Sequence, residues 1–355
     1  MKNYKDEDSG TTEVWREEVR TENIRLDTYL SKTSLPLSRS NIKAKIKDGK
    51  ILVNGERSKP SYKIKRGDII EAVYKAGVPF EIKPQEIPIS ILYEDKDIIV
   101  LNKQKGIVVH PAKGNSDGTL VNALLHHCST LAEGFDLERP GVIHRLDEDT
   151  TGVIVFAKTE RVHAKIAHQF QSREVRKIYL AVVWGTPPMK EGEISSPIGR
   201  NTFDRTLMAV TPLNSRDSLT RFKVLHSYGY ASILKVMLET GRTHQIRVHL
   251  SHFGYPVIGD EDYGGRDRII LRKIGLDYKD TFDKIMEIID RQALHAASIE
   301  FTHPVKKKKL RFTAPLYDDM KELIKFLNKN AAAKTPQHGH FSLRGRRRHK
   351  GGLND

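Results

Sequence analysis

The chain has 355 residues, 38% of them hydrophobic, and its 60 Lys and Arg against 45 Asp and Glu leave a net charge of +15. That length suggests two domains of ordinary size, and the apolar fraction can fill their cores, which excludes wholesale disorder. The single cysteine, Cys128, excludes an intramolecular disulfide and fits a reducing compartment. The polar, acidic start does not read as a secretory signal, and apolar runs such as 178–184 are too short to span a bilayer. A soluble, cytoplasmic, basic protein is expected, with nucleic acid as the first partner to consider.

Residues 1–22 carry four basic and seven acidic side chains without an apolar period, and predict a disordered acidic leader. From 24 to 75 the sign reverses, with thirteen Lys and Arg against five Asp and Glu. Residues 23–75 read as a small α+β module. A first short helix pairs Leu26 with Leu30. A second, capped by Ser38 or Ser40, pairs Ile42 with Ile46. Arg39, Lys43, Lys47 and Lys50 follow the second helix close to one face until Asp48-Gly49 ends it. Strands are expected at 51–53, before the Asn54-Gly55 turn, and at 69–70. The cationic face is either simply solvated or a phosphate contact, and the local excess of charge favours phosphate.

Pro79, Pro84 and Pro88 mark 76–88 as a linker. Residues 89–328 form a catalytic-sized region. Strands are expected there at 98–101, 153–156, 178–184, 222–225 and 232–238. Helices are expected at 160–171 behind a Thr159 cap, at 243–253 and at 316–327. The segment 329–355, with Arg344, Arg346, Arg347, Arg348 and Lys350, reads as a basic disordered tail.

The sequence holds no glycine-rich phosphate loop, dinucleotide fingerprint, nucleophile elbow or His-Glu-x-x-His, so no nucleotide cofactor is expected. His244, His249 and His252 share a helix, but in this basic setting they read as structural or phosphate-facing, and no metal is expected.

The chemistry-bearing run is 141–152, where an apolar lead-in meets a turn containing His144, Arg145, Leu146, Asp147, Glu148 and Asp149 before a second apolar run. A cation beside Asp147 would keep its carboxylate ionised and available as a nucleophile. Alone, such a turn is as readily a structural ion pair. Tyr179 lies on an apolar strand, where the plain reading is a core tyrosine. Arg247 follows Gly241-Arg242-Thr243-His244 by one helical turn, where the plain reading is a surface arginine.

Together and in this order, His144-Arg-Leu-Asp-x-x-Thr-Thr-Gly, Lys177-x-Tyr179-x-Ala181, Gly241-Arg-Thr-His-Gln-Ile-Arg-Val-His, Leu294-His-Ala and Phe301-x-His-Pro304 resemble the RluA/RluD family of pseudouridine synthases. Residues 24–75 resemble the RNA-binding domain named after ribosomal protein S-four. The resemblance implies an α+β fold with a mixed, largely antiparallel sheet and a cleft across its middle. It implies Asp147 as the catalytic aspartate, Tyr179 against the target ring, Arg247 paired with the aspartate, and Arg145 or His144 filling the gap left by the extruded base. Arg242 and His244 are expected beside the RNA. The expected substrate is uridine in structured RNA, most readily large-subunit ribosomal RNA, with tRNA as the alternative, and a monomer is expected.

Three departures stand out: Thr151 replaces a serine, Gln104 stands where a proline is usual, and 264–291 is long, with an extra helix expected near 282–289. The chemistry agrees with the missing motifs, because isomerising uridine adds and removes nothing. Breaking the glycosidic bond builds positive character that a carboxylate can trap. The rival readings are a non-catalytic RNA-binding or ribosome-assembly protein on this scaffold, and a histidine-based metallohydrolase.

Overall fold

The computed structural model describes residues 11–333 apart from 32, 36, 38, 77–81, 113–114, 129 and 133–138; the expected basic run beyond 333 and the first ten residues lie outside the described residues. Two separate hydrophobic cores form. Around the smaller one fold β1 (Thr11–Glu18), α1 (Leu26–Leu30), α2 (Arg39–Lys47), β2 (Ile51–Val53), β3 (Glu56–Arg57) and β4 (Ile69–Ala76), with sheet order β1-β4-β2-β3. Leu26, Leu30, Ile42 and Ile46, the pairs spaced four apart, all point into this core.

The expected disordered leader is corrected by β1, which pairs antiparallel with β4 from Thr11↔Ala76 to Glu18↔Ile69. Its acidic side chains find partners rather than solvent alone. The Tyr74 hydroxyl donates to Glu13 at 2.6 Å, the Tyr29 hydroxyl donates to Glu17 at 2.5 Å, and Arg16 meets Glu71 at 3.4 Å. An edge strand held by pairing and polar contacts needs no apolar period, which is why its sequence is silent.

The larger unit contains β5 (Ile91–Glu94), β6 (Ile98–Lys103), α3 (Leu120–His127), β7 (Thr151–Ala157), α4 (Glu160–Gln171), β8 (Arg176–Trp184) and β9 (Glu191–Ser195). It continues with β10 (Ile198–Arg200), β11 (Met208–Val210), β12 (Leu219–Ser227), β13 (Ala231–Leu238), α5 (Gln245–His252), α6 (Leu271–Ile274), α7 (Lys279–Ile288), β14 (Leu294–Thr302), β15 (Lys309–Thr313) and α8 (Asp318–Ala333). The main sheet runs β5-β6-β7-β14-β8-β13-β12-β9, with β15 added on β14. Only the β7–β14 pairing is parallel, so the sheet is mixed and largely antiparallel.

β6 and β7 are buried at every position and therefore read as unbroken apolar runs instead of alternating ones. Between β7 and β14 the backbones approach so closely that a Cβ on Gly152 would lie 2.3 Å from the Ala296 carbonyl oxygen, and Gly152 has φ +113°. Thr151, which replaces a serine, bonds across to the neighbouring strand. Its hydroxyl meets His295 Nδ1 at 2.8 Å, tying β7 to β14.

Two boundaries shift. Residues 82–88 belong to the larger unit: Ile82 and Ile87 pack on its core, and Asn122 Nδ2 donates to the Lys83 carbonyl at 2.8 Å. The expected boundary at 328/329 falls inside a helix, because α8 continues to Ala333. In the long 264–291 segment, α7 buries Phe282 and Ile285. Phe282 stacks on Trp184 at 5.2 Å, and Trp184 Nε1 donates to the Gly265 carbonyl. No helix of the described residues is long and apolar enough to cross a membrane.

Candidate active site

Asp147 stands in the loop that runs into β7, and buried donors fix that loop from below. Lys103, the last residue of β6, is fully buried; its Nζ donates to the carbonyls of Gln104 at 2.9 Å, Thr150 at 3.2 Å and Glu148. Burial pulls the Lys103 pKa down to about 7, against the opposing pull of Asp149 and Asp147. Arg291 gives its fork to Asp319 at 2.8 and 3.0 Å and a further N–H to the Asp149 carbonyl at 3.0 Å. On this platform the Asp147 side chain keeps 24% exposure, so a substrate can reach it.

The opposite wall is α5. His244 caps it in a left-handed conformation, φ +54°, and Arg247, one turn in, is buried toward Asp147. Arg247 and Asp147 are brought together as expected, but through a single contact. Arg247 Nη1 lies 3.5 Å from Asp147 Oδ2, a charge contact. Its bidentate grip is on Asp260: Nε donates to Oδ2 at 2.7 Å and Nη2 to Oδ1 at 2.8 Å, with Nη2 also reaching Asp262 at 2.7 Å. Asp260 is wholly buried and accepts the backbone N–H groups of Asp262 and Tyr263 as well. Burial works against the Arg247 charge, but Asp260, Asp147 and Asp262 outweigh it and raise the pKa. The guanidinium is thus a fixed cation held in place by two carboxylates behind it and directed at a third.

His244 Nε2 lies 3.9 Å from Asp147, and its Nδ1 meets the Tyr263 hydroxyl at 2.8 Å. That hydroxyl also accepts the Met208 N–H, so Tyr263 links His244 to β11. Burial lowers the His244 pKa against the opposing pull of Asp147. His249 has both nitrogens occupied, by Thr220 Oγ1 at 2.9 Å and the Ser196 carbonyl at 3.0 Å, which makes it a core histidine.

Tyr179, on β8 across from Val236 of β13 and Ala296 of β14, is buried at the cleft floor. Burial, and the Asp147 charge after it, raise its pKa, so the phenol stays protonated at rest. These residues line a cleft of about 600 Å³ together with Arg145, His144, Lys177 and Arg242, a size suited to a small organic group. Lys177 sits 5.7 Å from the Phe170 ring centroid, and burial lowers its pKa to about 8.

The remaining expected contacts divide. Arg145 is exposed and donates to the Thr243 hydroxyl at 2.9 Å; Arg242 donates to the Asp217 carbonyl. His144 is not free to fill a gap: Nε2 accepts the Val155 N–H at 3.1 Å, the ring stacks on Phe170 at 4.9 Å, and burial lowers its pKa to about 3. In the small unit Arg39 opens α2, and Lys47, which is exposed, closes it. Lys43 is engaged by Asp27 at 3.4 Å, and Lys50 lies past the helix end, where Gly49 turns the chain at φ +72°. The sequence reading missed Lys103, Asp260, Asp262 and Tyr263. Only Lys103 leaves a trace, a cation at the end of a strand that opens with four apolar residues.

A basic cleft with an arginine-backed aspartate, in a chain that also carries a small basic module, has the chemistry of an RNA-modifying enzyme. The sequence model of the family described as RNA pseudouridylate synthase matches residues 97–252, and that of the S4 domain matches 24–70. Over 307 residues, 85% of this chain and 93% of the other, it is 41% identical to an uncharacterized RNA pseudouridine synthase of Chlorobaculum parvum. Over 304 residues, 85% and 90% of the two chains, it is 41% identical to ribosomal large subunit pseudouridine synthase D of Yersinia pestis. The structure of human RNA pseudouridylate synthase domain containing 4 superposes with a TM-score of 0.51 at 25% identity, covering 67% of this chain and 93% of that one. The chain belongs to the RNA pseudouridine synthase family, and its smaller unit is an S4 domain.

Proposed function

We propose that this enzyme isomerises uridine to pseudouridine in large-subunit ribosomal RNA, with Asp147 as the nucleophile. The observation that carries the reading is the placement of Asp147 at the cleft, 3.5 Å from a guanidinium that Asp260 and Asp262 hold in place. The target uridine leaves its stack, at a cost of a few kcal/mol recovered in the pocket. As the bond from carbon 1′ to N1 breaks, the Asp147 carboxylate stabilises or traps the positive carbon. The freed uracil turns, carbon 5 bonds to carbon 1′ as any bond from carbon 1′ to Asp147 breaks and the carboxylate is restored, the carbon 5 proton is lost and N1 ends protonated, so atoms balance.

The Arg247 guanidinium, 3.5 Å from Asp147 Oδ2, sets a fixed positive charge against that carboxylate. The Tyr179 ring walls the uracil. Since its phenol is protonated at rest, it acts on the carbon 5 proton as a relay, accepting it while its own hydroxyl proton passes to solvent, the same solvent that supplies the proton N1 gains. The basic α2 face of the S4 domain and Arg145 and Arg242 at the cleft supply phosphate contacts. The cytoplasm is where such a substrate would be met. The choice of ribosomal RNA over tRNA rests on the Yersinia pestis relative, whose name specifies the ribosomal large subunit. Tritium release from RNA labelled at carbon 5 of uridine, using bulk ribosomal RNA and bulk tRNA from cells lacking this protein, tests it. Release from ribosomal RNA alone is expected; release from tRNA alone would replace the substrate.

A further inference from the structure

β10 and β11 form a two-stranded hairpin outside the main sheet, in register from Ile198↔Val210 to Arg200↔Met208. The loop end of its ladder is fastened beside the catalytic cleft, where the Met208 N–H donates to Tyr263, the residue that also bonds His244. Its tip presents Phe203, 100% exposed. That tip is ordered: Asn201 Oδ1 accepts the N–H groups of Phe203 and Asp204, and Arg200 donates to the carbonyls of Arg205 and Thr206. An aromatic ring held out in water by a preformed turn loses little freedom on meeting a partner.

Beneath the hairpin runs a groove of about 220 Å³ that contains Arg145, Arg200, Arg216 and Arg242, and it shares Arg145, Gly241, Arg242 and Thr243 with the catalytic cleft. None of these arginines, nor Arg205 at the tip, has a carboxylate partner among the described residues. Where Arg145, Arg200 and Arg242 donate, it is to neutral carbonyl and hydroxyl oxygens. The nearby Asp204 carboxylate is occupied by Thr206. By contrast Arg221, Arg247, Arg268 and Arg291 all meet carboxylates. Unneutralised guanidinium groups along a groove, with an aromatic platform above, match the alternating phosphates and flat bases of a single RNA strand.

We propose that this hairpin and groove grip the single-stranded RNA flanking the target uridine, with Phe203 stacking on an unpaired base and Arg200 and Arg216 contacting phosphates. The inference rests on the proposed reaction at Asp147 and names the surface that receives the rest of its substrate. A strand with one nucleotide in the cleft passes directly into the groove, because the two share a wall.

The test uses the full chain with labelled single-stranded oligouridylate, and tritium release from ribosomal RNA in parallel. Phe203→Ala should weaken oligouridylate binding by about 5- to 150-fold, the value of one lost base stack, and raise KM while kcat holds. Arg216→Gln should flatten the dependence of log affinity on log salt by about 0.7. Phe203→Trp should retain affinity, and its added emission should be quenched by oligouridylate. Wild-type binding by Phe203→Ala without quenching of Phe203→Trp, in a preparation whose wild type releases tritium, overturns the hairpin and leaves the reaction standing, whether or not self-association changes. Absence of release by wild type from every RNA overturns the reaction itself.

Discussion

Asp260 never touches the cleft, yet the geometry makes it decisive for Arg247. Asp260→Asn keeps shape and volume but replaces one of the two carboxylate oxygens that receive Nε and Nη2 at 2.7 and 2.8 Å with an amide that must face a donor. The variant loses one charge-assisted hydrogen bond and leaves a guanidinium only 6% exposed with less compensating charge. Breaking a buried pair in this way costs about 3–5 kcal/mol, and the retained amide oxygen and Asp262 reduce that to about 2–3 kcal/mol. At roughly 2–4 °C per kcal/mol for a domain of this size, melting should fall by about 4–12 °C. Freed on one side, Arg247 should swing toward Asp147 and close on it, lowering kcat by about 100-fold, as a 1 Å misplacement can. A thermal scan and single-turnover tritium release, each against wild type, measure both effects. A variant with wild-type melting and wild-type turnover would refute the claim that Asp260 holds the arginine.

Three further outcomes follow from the same structure. Tyr179→Phe should bind RNA within a few-fold of wild type but lose about 100- to 10,000-fold in turnover, the usual worth of a proton-transfer group; equal turnover would leave the ring as a wall alone. Lys103→Met should strand three loop carbonyls, lower stability by about 1–3 kcal/mol in urea denaturation and reduce kcat more than it raises KM, since the loop it holds carries Asp147. His144, with its pKa lowered to about 3, takes up a proton in the unfolded chain before it does in the native one. Stability therefore falls on acidification from about pH 6.5 toward 3, by about 1.4 kcal/mol per pH unit from this group. His144→Phe should remove one proton from that slope in urea titrations between about pH 4 and 6; an unchanged slope would contradict the buried neutral ring.

Elements buried on both faces were the most legible. β6, β7 and the inner half of β8 carry runs of Ile, Val and Phe that need no periodicity to be seen. α1 and α2 were legible from isoleucine and leucine pairs spaced four apart, and α4 from its Thr159 start. β1 was not, because its stability comes from a partner strand more than 50 residues later. The helical run of Arg39, Lys43, Lys47 and Lys50 was read as one face, but the Gly49 turn takes Lys50 off it. In the site, Asp147, Tyr179 and Arg247 came from motif order. The carboxylates behind Arg247 did not, since Asp260 and Asp262 reach it only after the chain turns back from α5, and nothing local distinguishes them from surface aspartates. His144 shows the converse limit: its neighbours in sequence suggested RNA, while its ring accepts a backbone N–H of the sheet.

The central claim is that Asp147 performs the reaction. The direct measurement is tritium release from ribosomal RNA labelled at carbon 5 of uridine, by wild type and Asp147→Asn side by side, with RNA affinity determined for both. Release by wild type and none by Asp147→Asn, at affinities within a few-fold, is the predicted result. Substantial release by Asp147→Asn would remove the nucleophile from this account.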